Sequence, residues 1–191
     1  MPYTDQSAPH AGSAEVLFTG LFDEPAGTLA RTIPRGQLSN ATTALPGTGL
    51  PAARLIPLPA GLVVSNLAVV VGSTAEALGT HSWFALMDVN SNVLAVTADQ
   101  AGAAFMTAGL FDKRPVQQYV IPQTGAYYVV VSVTAGTLPT LCGAASLNPA
   151  GLQTAPVIYG SLAAQQAPPA IGANLGPVSA ANGANFGAWI S

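Results

Sequence analysis

No Lys, Arg, Asp or Glu residue occurs between Pro115 and Ser191, although this stretch is rich in apolar side chains. Charged residues make up 7% of the whole chain and hydrophobic residues 50%, whereas a soluble domain usually carries about 25% charged residues. Interspersed charges keep a free monomer soluble and separate from other molecules. The shortage of charge therefore predicts a protein that works with much of its surface against neighbours.

A length of 191 residues suits one domain. The most apolar stretch, Leu55 to Val71, is interrupted by Pro, Gly, Ser and Asn residues, and no run of about 20 apolar residues occurs anywhere. We therefore expect no membrane span. The first five residues, MPYTD, lack the basic region and apolar core of a secretory signal, so we expect synthesis and assembly in a cytoplasm.

The formal net charge of −3, with only five basic residues, argues against nucleic acid as a partner, because such binding depends on Lys and Arg neutralising phosphates. Cys142 is the only cysteine, which excludes an internal disulfide and a cysteine-based metal cluster. No motif for a cofactor occurs, and we expect none to bind.

The residue composition changes twice along the chain, and these changes divide it into three predicted parts. Residues 1–52 mix Pro, Gly, Thr, Ser and Ala without a period and are interpreted as an extended N-terminal arm. Residues 53–143 contain short runs of Val, Leu and aromatic residues separated by turn residues, as successive strands do. Residues 144–191 have low complexity and are interpreted as an extended C-terminal tail.

The central part predicts an all-β, jelly-roll-like antiparallel β-sandwich. Alternation puts Trp83, Ala85 and Met87 on one face of a strand and Phe84, Leu86 and Asp88 on the other, and it puts the odd-numbered residues from Tyr127 to Val133 on one side. The predicted strands are Arg54–Leu58, Leu62–Val71, Ser82–Val89, Val93–Thr97, Val116–Ile121 and Ala126–Val133. The last two are predicted to pair around residues 122–125.

An extended, uncharged segment becomes ordered most readily by lying along another protein. We therefore predict that apolar side chains in the two terminal parts act as assembly anchors. The candidates are Phe18, Phe186, Trp189 and Ile190.

Asp88, Asn90 and Asn92 have the spacing that opens a calcium-binding loop, and Asp99 stands at its twelfth position. The sixth position is Val93, where such a loop requires Gly. A hairpin turn at residues 90–92 is the favoured interpretation, with Asn in the left-handed conformation. No metal site is predicted.

Catalytic sites have few candidates. His10 and His81 are the only histidines, and His81 with Cys142 would be the one conceivable dyad. No Gly-x-Ser-x-Gly motif occurs. We expect hydrogen bonding from His81 and no enzymatic activity.

Two further groups of charged residues are possible sites. A carboxylate pair for glycoside cleavage would have to come from Glu76, Asp88, Asp99 and Asp112. The cluster 112–114, Asp-Lys-Arg, is interpreted as a solvated loop.

Several stretches resemble a domain of virion structural proteins from phages that infect actinobacteria. They are GTHSWFALMD (79–88), NVLAVTAD (92–99), GAYYV (125–129), LPTL (138–141) and the terminal AWIS (188–191). The resemblance spans about residues 34–143. It implies a jelly-roll-like sandwich in a minor tail, head decoration or surface fibre protein, and it implies no catalytic residues.

The expected function is therefore that of a capsid decoration or surface protein that is attached through extended arms and stabilises the particle. Its expected partners are other virion proteins, either the major capsid protein or tail proteins, and copies of itself, with a trimer favoured. The alternative is a minor tail or receptor-binding subunit that recognises host surface glycans. Trp83, Tyr119 and Tyr159 could then stack on sugar rings, although such residues in a sandwich more often belong to the core.

Overall fold

The computed structural model describes residues 27–33, 38–100, 108–109, 111–144, 156–180 and 185–191. Within these ranges the chain is all-β and contains no helix. Two antiparallel sheets pack against each other, which confirms the predicted β-sandwich. The strands are β1 (Ala30–Arg31), β2 (Ser39–Ala44), β3 (Ala52–Leu58), β4 (Val63–Val70), β5 (Ala77–Asp88), β6 (Val93–Val96), β7 (Phe111–Val120), β8 (Gly125–Thr137), β9 (Thr140–Gly143), β10 (Tyr159–Ser161), β11 (Ser179–Ala180) and β12 (Ala188–Ile190).

The strands are distributed over one larger sheet, one smaller sheet and a separate pair. The larger sheet has the order β11-β10-β3-β8-β5-β6, and the smaller has the order β1-β12-β4-β7. β2 pairs with β9. Strands that follow one another in the sequence often lie in different sheets. For example, β3 and β8 belong to the larger sheet, whereas β4 and β7 belong to the smaller one.

The predicted pairing of the strand around 116–121 with the strand around 126–133 is wrong. β7 pairs with β4, and β8 lies between β3 and β5, so residues 121–124 cross from one sheet to the other. The burial of the two strands explains the difference. β8 is buried on both faces and suits a central position, whereas most residues of β7 remain exposed or partly exposed.

The predicted faces of the central strands are confirmed. Phe84 and Leu86 of β5 lie in the core between the two sheets, together with the odd-numbered residues 127–133 of β8. Trp83, Ala85 and Met87 lie in a second core on the opposite face of the same sheet. The larger sheet is therefore apolar on both sides.

The parts of residues 156–180 that lie outside β10 and β11 cover the outer face of the larger sheet. Leu162 belongs to the second core, and Leu175 and Val178 pack against it. The sheet also donates side-chain hydrogen bonds to backbone carbonyls of this segment. Their donors and acceptors are Trp83 Nε1 to Gln166 O at 2.8 Å, Tyr128 OH to Val157 O at 2.9 Å and Ser132 Oγ to Gln165 O at 3.0 Å.

The prediction of an extended C-terminal tail is therefore wrong for the described residues. A segment without charged side chains can lie flat on an apolar sheet face without burying an unpaired charge. The described part of the predicted N-terminal arm also belongs to the fold, since β1 pairs with β12 and β2 pairs with β9. Residues 1–26 lie outside the described residues.

The three described anchor candidates are buried in their own chain, so the anchor prediction is wrong for them. Phe186 and Ile190 are in the core between the sheets, and β12 pairs with β4 through Ile190 and Leu67. Trp189 is 1% exposed. Its ring packs edge-to-face against the ring of Phe111, with 5.4 Å between the ring centroids. Phe18 lies outside the described residues.

Trp189→Ala should lower the free energy of unfolding of the isolated protein by about 3–5 kcal/mol, because a buried aromatic ring is removed. Chemical denaturation measures the change. Ile171→Ala is the control, since Ile171 is 52% exposed, and it should change the same quantity by less than about 0.5 kcal/mol. Equal small effects for the two variants would mean that Trp189 does not stabilise the fold.

Candidate functional site

A buried ion pair lies between the sheets at β7. Arg114 is 1% exposed. Its Nη2 donates to Asp112 Oδ2 at 2.7 Å, and its Nη1 donates to Ser82 Oγ at 2.9 Å. Its guanidinium also lies 4.0 Å from the centre of the Phe84 ring.

The interpretation of residues 112–114 as a solvated loop is therefore wrong. All three residues are in β7, where alternation directs Asp112 and Arg114 to the same face and leaves Lys113 exposed. The burial is tolerated because every nitrogen of the guanidinium has a hydrogen-bond partner and the paired carboxylate compensates its charge.

Glu76 is a second buried charged residue beside this pair. It is 2% exposed, and both of its carboxyl oxygens lack a hydrogen-bond partner among the described residues. Burial raises the pKa of Glu76 to about 7, with the Arg114 charge opposing the shift and Asp112 adding to it. A Cβ at position 79 would collide with this carboxyl group unless the Glu76 side chain moved.

His81 and Cys142 contact different groups. His81 Nδ1 lies 2.6 Å from Asp99 Oδ2, and Asp99 Oδ1 accepts a hydrogen bond from the backbone N–H of Ser82 at 3.0 Å. Asp99 therefore ties the chain after β6 back to the middle of β5. The Cys142 thiol faces the backbone carbonyl of Val71 at 3.7 Å, and burial raises its pKa.

The described residues lack two further kinds of feature. No three His, Cys, Asp or Glu side chains come together as a metal ion would require. No helix there has the length and hydropathy of a membrane span.

The turn between β5 and β6 is organised by Asp88. Its Oδ1 accepts hydrogen bonds from the backbone N–H groups of Asn90 and Asn92, both at 2.9 Å, and its Oδ2 accepts one from Asn92 Nδ2 at 2.9 Å. The carboxylate that would open a calcium loop is thus engaged within the turn itself. The predicted hairpin is confirmed by the pairing of β5 with β6.

The left-handed residue of this turn is Ser91, with φ of 70°, and not an Asn. A type I turn followed by one left-handed residue is a common three-residue hairpin loop, and the bond from Ser91 N–H to Asp88 O at 3.1 Å fits it. Ser91 is also buried at 4% exposure. A left-handed residue other than Gly, Asn or Asp is strained, so surrounding contacts must hold it.

These contacts come from the C-terminal segment. Leu175 N–H donates to Ser91 O at 3.0 Å, and Val93 N–H donates to Ala173 O at 2.9 Å. Asn174 Nδ2 donates to Asn90 O at 2.8 Å. Residues 173–175 therefore fix the turn from one side.

Two hollows flank this turn and share Val89 and Asn90 in their walls. The first has a volume of about 320 Å³ and lies between the turn, the end of β7 and the 121–124 crossing. Its lining includes Asp88, Leu94, Tyr119, Gln123 and Tyr127. The second, of about 340 Å³, is lined by Ser91, Tyr128, Pro156, Val157, Asn174, Gly176, Pro177 and Val178.

Tyr119 is the one of the three predicted stacking residues that reaches a hollow. Trp83 is 0% exposed and Tyr159 is 3% exposed, so both belong to the core. Gln123 and Asn174 were not predicted to take part in any site. They lie in a connection and in a low-complexity segment, and the only signal for them is the turn chemistry of their neighbours.

No protein-family model, curated protein or solved structure matches this chain.

Replacing Glu76 by Gln should remove a pH-dependent loss of stability. An unfolded Glu titrates near 4.5 and the folded Glu76 near 7, so between these values the folded state binds the extra proton. Stability therefore falls as pH rises from about 4.5 through 7. The loss should be on the order of 2 kcal/mol, less than the full shift implies because solvent and neighbouring charges screen it.

The measurement is the difference in the free energy of unfolding between Glu76→Gln and the native protein at several pH values. This difference should grow in favour of the variant across that window. Lys113→Gln, at an exposed side chain of β7, is the control for loss of a charge. A difference that is constant with pH would contradict the assignment.

Proposed function

We propose that this chain is a structural protein of a bacteriophage virion, most simply a capsid decoration or surface protein. The proposal is supported by the resemblance of residues 34–143 to such domains and by the β-sandwich fold. The observation that carries it is the near neutrality of the described surface.

That neutrality arises because the described residues include few charged side chains, and most of these are buried or only partly exposed. Lys113 is exposed, whereas the Asp99 side chain is 27% exposed and is bonded to His81. Apolar side chains are exposed elsewhere on the described surface, including Leu78 at 85% and Val120 at 57%. Such a surface lacks the like-charge repulsion that keeps monomers apart, and the cores of protein interfaces are similarly depleted of charge.

Attachment through the described termini is not part of this proposal, because those termini belong to the sandwich itself. The folded body would meet its neighbours through its neutral faces. Many such contacts, repeated by the symmetry of a particle, act together even when each is weak. Its partners would be the major capsid protein or tail proteins and copies of itself.

The alternative is a minor tail or receptor-binding subunit that meets a host surface glycan. The hollow beside Tyr119 is the specific observation that favours it.

The purified chain should self-associate, with a trimer as the favoured species, and its association should be nearly independent of ionic strength. Sedimentation velocity at low and high NaCl measures both. Salt weakens interactions between exposed charges and largely screens those beyond about 10 Å at 0.1 M, whereas an interface without charges should change its dissociation constant by less than about threefold. A protein that stays monomeric at its highest soluble concentration would contradict the proposal.

Quantitative mass spectrometry of purified particles tests the location. Detection in the particle at on the order of several hundred copies would support a role on the head, as expected for a subunit repeated by capsid symmetry. A handful of copies would support the tail alternative. Absence from intact particles would overturn both.

A further inference from the structure

The hollow beside Tyr119 contains an aromatic ring that packs against the core. Tyr119 is partly buried, packs against the core between the sheets and lines the hollow. Tyr127, also in the lining, is fixed by a hydrogen bond from its hydroxyl to the backbone carbonyl of Gln123 at 2.8 Å. An aromatic ring that is already ordered presents a large amphipathic surface at little cost in conformational entropy.

Around this ring stand polar groups with unused hydrogen-bonding capacity. The side-chain amides of Asn90 and Gln123 are exposed, and each combines two donors with an acceptor. Asp88 Oδ2 accepts one hydrogen bond, from Asn92, and can accept another. This set suits a ligand whose groups both donate and accept, as the hydroxyl groups of a sugar do.

The charge of the hollow excludes several ligand classes. Its described lining contains no Lys, Arg or His, so it offers no cationic partner for phosphate, sulfate or carboxylate groups. Asp88 is its one ionisable carboxyl group and would repel an anion. The ligand should therefore carry no negative charge.

The backbone around the hollow argues against a peptide. The N–H groups of Asp88, Asn90, Ser91 and Asn92 are all hydrogen-bonded within the turn. The N–H of Ile121, beside the lining, donates to Leu62 O at 2.9 Å. An extended peptide binds a sheet mainly through free backbone groups at a strand edge, and these groups are already paired.

The turn that forms one wall is held rigid. Ser91 keeps its left-handed conformation under the contacts of residues 173–175, and this positions Asn90 at the rim. Strained residues held in this way cluster at ligand-binding sites.

From these observations we propose that this hollow is a binding site for a neutral saccharide. One pyranose ring stacks on Tyr119, and its hydroxyl groups bond to Gln123, Asn90 and Asp88. A volume of about 320 Å³ is at the small end for ligand sites, so about one or two sugar units fit. The site does not depend on where in a particle the protein resides.

The test is a titration of the ¹⁵N-labelled full chain with neutral methyl pyranosides of glucose, galactose, mannose and N-acetylglucosamine. At least one of them should shift the backbone amide resonances of Asn90, Tyr119, Gln123 and Tyr127, with a dissociation constant on the order of 1 mM. A proline-rich peptide, titrated in parallel, should not shift them.

Three variants assign the binding to the named groups. Tyr119→Ala should weaken it about tenfold or more, because the stacking surface is lost. Tyr119→Phe, which keeps the ring, should stay within about threefold. Val120→Ala is the matched control, since Val120 follows Tyr119 in β7, is 57% exposed and is not part of the lining.

Gln123→Ala tests the site independently if Tyr119→Ala fails to fold. Gln123 is exposed and only its backbone carbonyl contacts the fold, so this variant should fold normally. It should weaken binding about threefold or more. The proposal is overturned if none of the pyranosides shifts these resonances, if Tyr119→Ala binds as well as Val120→Ala, or if only the peptide binds.

Discussion

The fold depends on the pairing of β5 with β8, two long strands at the centre of the larger sheet that are apolar on both faces. A sheet of this kind is stable only when both sides are covered. The smaller sheet covers one side and creates the main core, while the parts of residues 156–180 outside β10 and β11 cover the other and create the second core.

The same requirement explains the composition of the C-terminal third. A strip that lies across an apolar face must avoid charged side chains and must find partners for its own backbone. Trp83, Tyr128 and Ser132 provide donors for its carbonyls, while residues such as Leu162 provide the apolar contact. Low complexity here belongs to a covering layer of the fold.

Sequence alone could predict what is local. The alternation in β5 and β8 gave the correct faces, because a period of two follows directly from strand geometry. The covering segment has no period, and its contacts join residues far apart in the chain, such as Trp83 and Gln166. The signal in the sequence was that the second half of β5 is apolar on both faces. Such a strand needs a layer of chain packed on each side.

The candidate site was predictable only in part, for a related reason. Asp88 and the turn after it were found from spacing, but Ser91 took the left-handed position expected of an Asn because residues 173–175 hold it there. The charges of residues 112–114 predict a loop, whereas strand alternation would place Arg114 on one face of β7. Only the fold reveals that Asp112, Ser82 and Phe84 surround its guanidinium.

Several of the charged residues in the described part of the chain thus organise its interior and its turns. Arg114 pairs with Asp112, Asp99 with His81, and Asp88 closes the hairpin. Because these charges are engaged, little long-range electrostatic attraction is left for recognition at the described surface. Recognition must then use shape, aromatic faces and neutral amides, which work only at contact distance. Such contacts are weak singly, so they gain strength when a surface is presented in many copies.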